Sequence, residues 1–150
     1  MAHFCIKTRI ENRTPKELLE LFNEDLFRAL KPPVMNLKVE RFDGCQTNHE
    51  VHLTMDVFGL MNQKWISLIT DHGESFEECF FVDEGTLLPP PLKSWRHRHR
   101  LLRINDQASY VVDDITYSTG YKALDLLIYP ALYAMFSFRI PVYKDKLSKK

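Results

Sequence analysis

The amino-acid sequence predicts an α+β fold: a curved antiparallel β-sheet wrapped around a long C-terminal helix, with two short helices after the first strand. Three observations predict it. An alternating strand followed by a helix-start signal opens the chain, short alternating segments separated by turn residues fill its middle, and a long apolar run closes it. The 150 residues read as one domain, long enough for a single sizeable core.

Residues 3–10 place Phe4, Ile6, Thr8 and Ile10 at even positions, and successive strand side chains point to opposite faces, so this segment reads as a half-buried strand. Thr14-Pro15-Lys16-Glu17 then starts a helix: Thr14 is a fit N-cap, Pro15 takes the first helical position, and Glu17 completes a capping box. Leu18, Leu19, Leu21, Phe22, Leu26, Phe27 and Leu30 follow as one bent or two short helices, stopped by Pro32-Pro33. Strands are predicted at residues 34–42 (ending at Asp43-Gly44), 50–58 (ending at Gly59), 64–70 (ending near Gly73) and 76–82 (ending near Gly85). Turn signals at this spacing indicate an antiparallel meander.

After Pro89-Pro90-Pro91, residues 93–117 form the most informative hairpin of the chain. Its first arm carries Trp95, His97, His99 and Leu101 on one face and Arg96, Arg98 and Arg100 on the other. A three-residue loop, Asn105, Asp106 and Gln107, sets Leu101 opposite Val111, His99 opposite Asp113, His97 opposite Ile115 and Trp95 opposite Tyr117. The same register sets Arg98 opposite Asp114 on the outer face. An inward surface holding Trp, Tyr, two His and an Asp suits a ligand cavity better than a dry core. Residues 121–146 close the chain as a helix apolar on nearly every side, with Asp125 near its start and Lys144 and Lys146 near its end. Its uncharged run, residues 126–138, is thirteen residues long and contains Pro130, short of the roughly 17–25 that cross a bilayer. No membrane span is therefore expected, and such a helix is expected to be buried inside the concave face of the sheet.

Composition excludes several function classes. Twenty basic residues balance twenty acidic ones, so net charge gives no general attraction to nucleic acid, and a solvated sheet face explains Arg96, Arg98 and Arg100. Cys5, Cys45 and Cys79 are odd in number and form no C-x-x-C pair, which fits a reducing compartment. The first eleven residues hold no apolar signal core, so a cytoplasmic location is expected. With five glycines and no phosphate loop or nucleophile elbow, nucleotide hydrolysis and serine-triad chemistry are poorly supported.

The element order resembles the START-related SRPBCC superfamily with its helix-grip fold, closest to its bacterial ligand-binding and cyclase/dehydrase-like members. The residues that carry the resemblance are Trp95-x-His97-x-His99, Asp113-x-Ile115-x-Tyr117, and Leu124 onward to Phe136-x-Phe138-Arg139. Thr14-Pro15-x-Glu17, Pro32-Pro33, and Trp65 with Ile69 support it. Where the family commonly has a Gly-Pro-Phe-like turn, this chain has Pro89-Pro90-Pro91-Leu92. The resemblance implies a deep apolar cavity between sheet and C-terminal helix, used across the superfamily for lipids, sterols and polyketides, with a few cyclases or dehydratases. It implies a hydrophobic small-molecule partner and no cofactor, and it leaves oligomeric state open. Fold alone does not choose among these functions.

Trp65, Trp95, Tyr117, Tyr129, Tyr133 and Met135 are candidate cavity liners, each with an ordinary core role as its alternative. His97, His99 and Asp113 are the polar candidates. A His99–Asp113 hydrogen bond orienting an imidazole toward a ligand and a buried polar pair satisfied by its neighbours fit the pattern equally, with acid–base catalysis as a third reading. H-x-H on a strand can chelate a metal, but with Asp113 as the one further ligand in view, no metal is expected. His49 and His52, three apart on a strand, make a poor chelate. Three functions follow: binding of a hydrophobic small molecule, a cyclase/dehydratase-type enzyme using His97, His99 and Asp113, or an interaction module with a filled core.

Overall fold

The computed structural model describes residues 1–57 and 62–149. In chain order its elements are β1 (Ala2–Glu11), α1 (Pro15–Leu21), α2 (Glu24–Ala29), β2 (Met35–Phe42), β3 (Glu50–Val57), β4 (Asn62–Glu74), β5 (Glu78–Leu87), β6 (Ser94–Asn105), β7 (Ala108–Ser118), α3 (Lys122–Ser137) and α4 (Arg139–Leu147). One antiparallel sheet takes all seven strands in the order β1-β7-β6-β5-β4-β3-β2. Consecutive strands pair as a meander, and β1 closes against β7. Register shifts at Val39/Arg41, Ile66/Ser67, Ile69/Asp71 and Arg103/Asn105 insert unpaired residues, which bend a strand and increase its twist. The sheet curls into a half-barrel whose concave face is covered by the helices.

Because β1 and β2 lie at opposite edges, the chain crosses the concave face between them, and α1 and α2 make that crossing. Thr14 Oγ1 accepts from the Glu17 N–H at 3.2 Å while Glu17 Oε2 accepts from the Thr14 N–H at 2.7 Å, so the capping box forms in full. Two short helices form rather than one bent one because Asn23 starts the second, its Oδ1 accepting from the Leu26 N–H at 3.0 Å. Their inward faces join Ile10, Cys79, Leu101, Val111, Tyr143 and Leu147 in one apolar cluster. A second cluster surrounds Phe4, Trp95, Ile115, Tyr117 and Phe136 under α3, and a third holds Val39, Val51 and Leu53. The core is thus three patches around a common space.

The hairpin register is the one the sequence predicts: Leu101–Val111, His99–Asp113, His97–Ile115 and Trp95–Tyr117 are all paired. Its loop is tighter, because Asn105 pairs with Ala108 across a bulge and leaves Asp106 and Gln107 as the turn. Strands β4 and β5 run longer than expected, through Gly73 and Gly85. At Gly73 the Phe80 ring of the neighbouring strand lies on the backbone, and a Cβ would sit 2.6 Å from Phe80 Cε1, so this glycine makes room for a ring instead of ending a strand. The expected end of the third strand at Phe58 and Gly59 lies outside the described residues. On the outer face Arg98 faces Asp114 in register, yet its guanidinium turns to Glu78 at 3.5 Å, which Arg100 also holds at 2.7 Å, while Asp114 takes His3 at 2.6 Å.

The C-terminal helix departs most from expectation. Helices α3 and α4 continue through Pro130 and meet at Phe138, and the whole run, Lys122–Leu147, is long and apolar enough by length and composition to cross a membrane. It is not buried all round. Phe136 is buried and Ile128, Leu132 and Met135 face the sheet, while Leu126 and Leu127 are 62% and 74% exposed and Tyr133 and Phe138 also face outward. A half-barrel is open on one side, so a helix lying across its mouth shows its outer face to the surroundings.

At the start of α3, Asp125 is buried and accepts from the Thr119 N–H at 2.6 Å and from Thr119 Oγ1 at 2.8 Å. Tyr117 Oη donates to the Asp125 carbonyl at 2.7 Å. The bond from the Thr119 N–H holds the Asp125 carboxyl below its ordinary range despite burial. Its contribution to stability is therefore present above the unfolded-state pKa and lost as pH falls through the lowered folded value. Tyr117→Phe should cost about 1 kcal/mol in urea unfolding, and Asp125→Asn should reduce the acid sensitivity of the same measurement.

Candidate functional site

The three central strands bring the inward-facing polar groups together. By alternation β5 turns Cys79, Phe81 and Asp83 inward, β6 turns Trp95, His97, His99 and Leu101, and β7 turns Val111, Asp113, Ile115 and Tyr117. Asp83 pairs with His97 and Asp113 with His99 along the backbone, but the side chains bond crosswise. His97 Nε2 lies 2.8 Å from Asp113 Oδ1, and His99 Nε2 lies 2.9 Å from Asp83 Oδ2. Of the readings left open by the sequence, the His99–Asp113 hydrogen bond is absent, with His99 Nδ1 at 3.9 Å from Asp113 Oδ1. Stacking accounts for this: the two imidazoles lie face to face with centroids 3.6 Å apart, and Phe81 stacks on the other side of His99 at 4.2 Å. Each ring leans along its strand to a carboxylate beyond its own register partner.

Further groups brace each carboxylate. Asp113 Oδ1 accepts from the Tyr143 hydroxyl at 3.3 Å and lies 3.5 Å from Arg139 Nη1, both from α4. Asp83 Oδ1 accepts from Ser67 Oγ at 3.2 Å, which accepts from Trp65 Nε1 at 2.9 Å. An ionised carboxylate can only accept, so each histidine donates from Nε2, and the ring when neutral carries its lone pair on Nδ1. His99 Nδ1 and Asp113 Oδ2 are buried without a hydrogen-bond partner.

These surroundings fix the charges. Burial, and then the neighbouring His97, push His99 down to about 4 against the pull of Asp83. Burial works to raise the Asp113 carboxyl, but the hydrogen bond from His97, Arg139 and the imidazoles outweigh it and hold it at about 2. The Asp83 carboxyl is lowered in the same way, chiefly by the His99 bond acting against burial. Burial drives the Tyr143 hydroxyl upward, so it stays protonated and donates. At neutral pH the cluster holds two carboxylates, one guanidinium and a neutral His99.

The cluster forms one wall of a cavity of about 140 Å³ in the space between the three core patches. Asp83, His97, His99, Ser67 and Arg139 supply its polar wall, with Trp65 and Trp95 beside them. Lys31 and Asn23, on either side of α2, add polar groups elsewhere, and the rest is apolar, from the helical segment 22–30, from β2 to β4, and from Leu132, Met135 and Phe136 of α3. Of the candidate liners, Trp65, Trp95, His97, His99 and Met135 border the cavity. Asp113 sits behind the histidines. Tyr117 is spent on Asp125, and Tyr129 and Tyr133 stack on each other and pack edge-on against Phe4, beside β1. Asp83, Arg139, Tyr143 and Ser67 were not among the candidates. For Asp83 the signal was present: continuing the Cys79, Phe81 alternation past Val82 places it inward, but Gly85 read as a strand end. Arg139, a charge three residues beyond Phe136 on an apolar helix, was a second signal.

No protein-family model matches the chain, and no curated protein does. Solved structures do match. Protein Ms6760 from Mycobacterium smegmatis superposes with a TM-score of 0.70 at 13% identity, over 99% of this chain and 91% of that one. The ZhuI aromatase/cyclase from Streptomyces sp. R1128 gives 0.55 at 14% identity, over 93% of both chains. Ara h 8.0201 gives 0.54 at 11%, over 91% of this chain and 95% of that one. Together with the element order, these likenesses show a helix-grip fold.

Removing Asp113 would leave the Arg139 guanidinium buried without its counter-charge. Asp113→Ala should therefore cost about 3–5 kcal/mol in denaturant unfolding. Adding Arg139→Met should recover part of that loss, because the stranded charge goes with it.

Proposed function

We propose that this protein binds a hydrophobic small molecule in the cavity between the sheet and its helices, with the molecule's polar end against Asp83, His97 and His99. The observation that carries the reading is the asymmetry of the cavity: apolar on most sides, with Asp83, His97, His99 and Arg139 gathered on one wall and Lys31 apart from them, just after α2. Apolar walls with a few converging polar groups are what ligand pockets share. The volume of about 140 Å³ is close to that of a cavity, about 150 Å³, that takes up benzene. It fits one aromatic ring or a short branched chain, with the rest of a larger lipid or polyketide-like molecule emerging at the mouth. The fold supports the reading without choosing the ligand.

An acid–base enzyme of the cyclase/dehydratase kind is the second reading, and a specific observation favours it. His97 is held by Asp113 through Nε2 and its Nδ1 lies 3.7 Å from Asp83, at the cavity wall. A tautomer fixed from behind by a carboxylate leaves the opposite nitrogen free to take a proton. The packed interaction module is the weaker reading, because the space beneath the helices is not filled.

Ala131 and Ala134 both face away from the sheet, so substitutions there would leave the cavity unchanged. Met135 borders it. A thermal-shift screen of small aromatics, short branched acids and polyketide-like phenols should find compounds that raise the melting temperature of the wild type. At a hundredfold excess over Kd the gain is about 2.7 kcal/mol. Met135→Trp should remain folded and lose the shift. If nothing in the screen stabilises the wild type, or if Met135→Trp keeps the shift, binding in this cavity is wrong.

A further inference from the structure

The polar wall has the makings of a metal site. One ligand atom from each of Asp83, His97 and His99 lies within 4.8 Å of the others. Asp83 Oδ2 stands 2.9 Å from His99 Nε2 and 3.7 Å from His97 Nδ1. Ligands about 2.1 Å from one ion in tetrahedral or octahedral geometry lie about 3.0–3.4 Å apart, so these separations bracket what one ion requires. The expectation of no metal counted only His97, His99 and Asp113; Asp83 supplies the missing carboxylate.

What stands behind these atoms matches the outer shell of a metal centre. The far nitrogen of His97 bonds the Asp113 carboxylate, which is the arrangement that orients metal-ligating histidines and raises their basicity. Asp113 is in turn fixed by Tyr143 and Arg139, and Asp83 by Ser67. Charge points the same way, since two carboxylates face one guanidinium and one negative charge is left over when both imidazoles are neutral. Finally, His99 Nδ1 is a buried nitrogen without a partner. If Nε2 ligates an ion, its proton moves to Nδ1, which then points toward Asp113 Oδ1, 3.9 Å away. The orphan atom becomes a donor facing a carboxylate, with no net gain or loss of protons.

We infer that Asp83 Oδ2, His97 Nδ1 and His99 Nε2 bind a divalent first-row transition-metal ion, with its open coordination positions facing the apolar cavity. Two imidazoles and a carboxylate suit zinc or iron(II). An ion there would receive an oxygen of whatever the cavity holds. The inference rests on the side-chain geometry and not on the identity of the cavity's occupant, so it can fail while hydrophobic binding stands, and the reverse.

The test uses the full chain, freed of metal by chelation and titrated with cobalt(II), whose visible d–d absorption reports nitrogen and oxygen ligands. One cobalt(II) per chain should bind, be displaced by zinc(II), and broaden the imidazole resonances of His97 and His99 in the wild type. Asp83→Asn and His99→Gln should weaken binding at least tenfold, and Asp113→Asn about 10–100-fold through His97. Circular dichroism checks that each variant is folded, and the wild-type broadening stands even if one is not. Absence of stoichiometric binding would overturn the inference. So would binding that His99→Gln leaves unchanged, or broadening confined to His3, His49, His52 or His72.

Discussion

Two carboxylates on the concave face of one sheet, Asp113 buried and Asp83 largely so, have to be compensated within reach, and the arrangement of the site follows from that requirement. Isolated charges in such a place cost several kcal/mol each. Here stacked imidazoles bond one carboxylate apiece, and a guanidinium from α4 stands against Asp113. Because Arg139 and Tyr143 come from the C-terminal helix, the same network fastens that helix to the sheet. Position of helix, tautomer of histidine and charge of the wall are therefore one problem with one solution.

The cavity is the other half of that solution. A sheet curled by bulges cannot be filled by the inward side chains of a single layer, and the crossing helices α1 and α2 pack against one end while α3 packs against the other. Space is left between, bounded by Trp65 and Trp95 meeting edge to face at 5.0 Å and by the polar wall. A largely apolar space with Asp83, His97, His99 and Arg139 on one wall favours one orientation of an amphipathic ligand. The likeness to solved helix-grip structures extends to the fold, and the chemistry at this wall belongs to the residues of this chain.

Much of the fold was legible because period and punctuation agreed. Thr14-Pro15-x-Glu17 forms the predicted capping box, and the alternation of Trp95, His97, His99 and Leu101 against Val111, Asp113, Ile115 and Tyr117 admits one register that satisfies both faces. Misreadings came where tertiary packing overrides a local signal. Glycines 73 and 85 read as strand ends but lie within strands, which hid Asp83. Apolar residues around the full circumference of α3 read as burial, yet Leu126 and Leu127 face outward at the open side of the half-barrel. Backbone register also could not show that the histidines bond crosswise, since that depends on the two rings stacking.

The central claim is that burial keeps His99 neutral, with its proton on Nε2 donated to Asp83. Long-range proton–nitrogen correlation spectra of the imidazoles, recorded on chelator-treated protein from about pH 8 to about pH 4, test it most directly. His99 should stay neutral with its proton on Nε2 down to about 4. Titration of His99 near the ordinary histidine value of about 6.5, or a proton on Nδ1 throughout, would contradict the account.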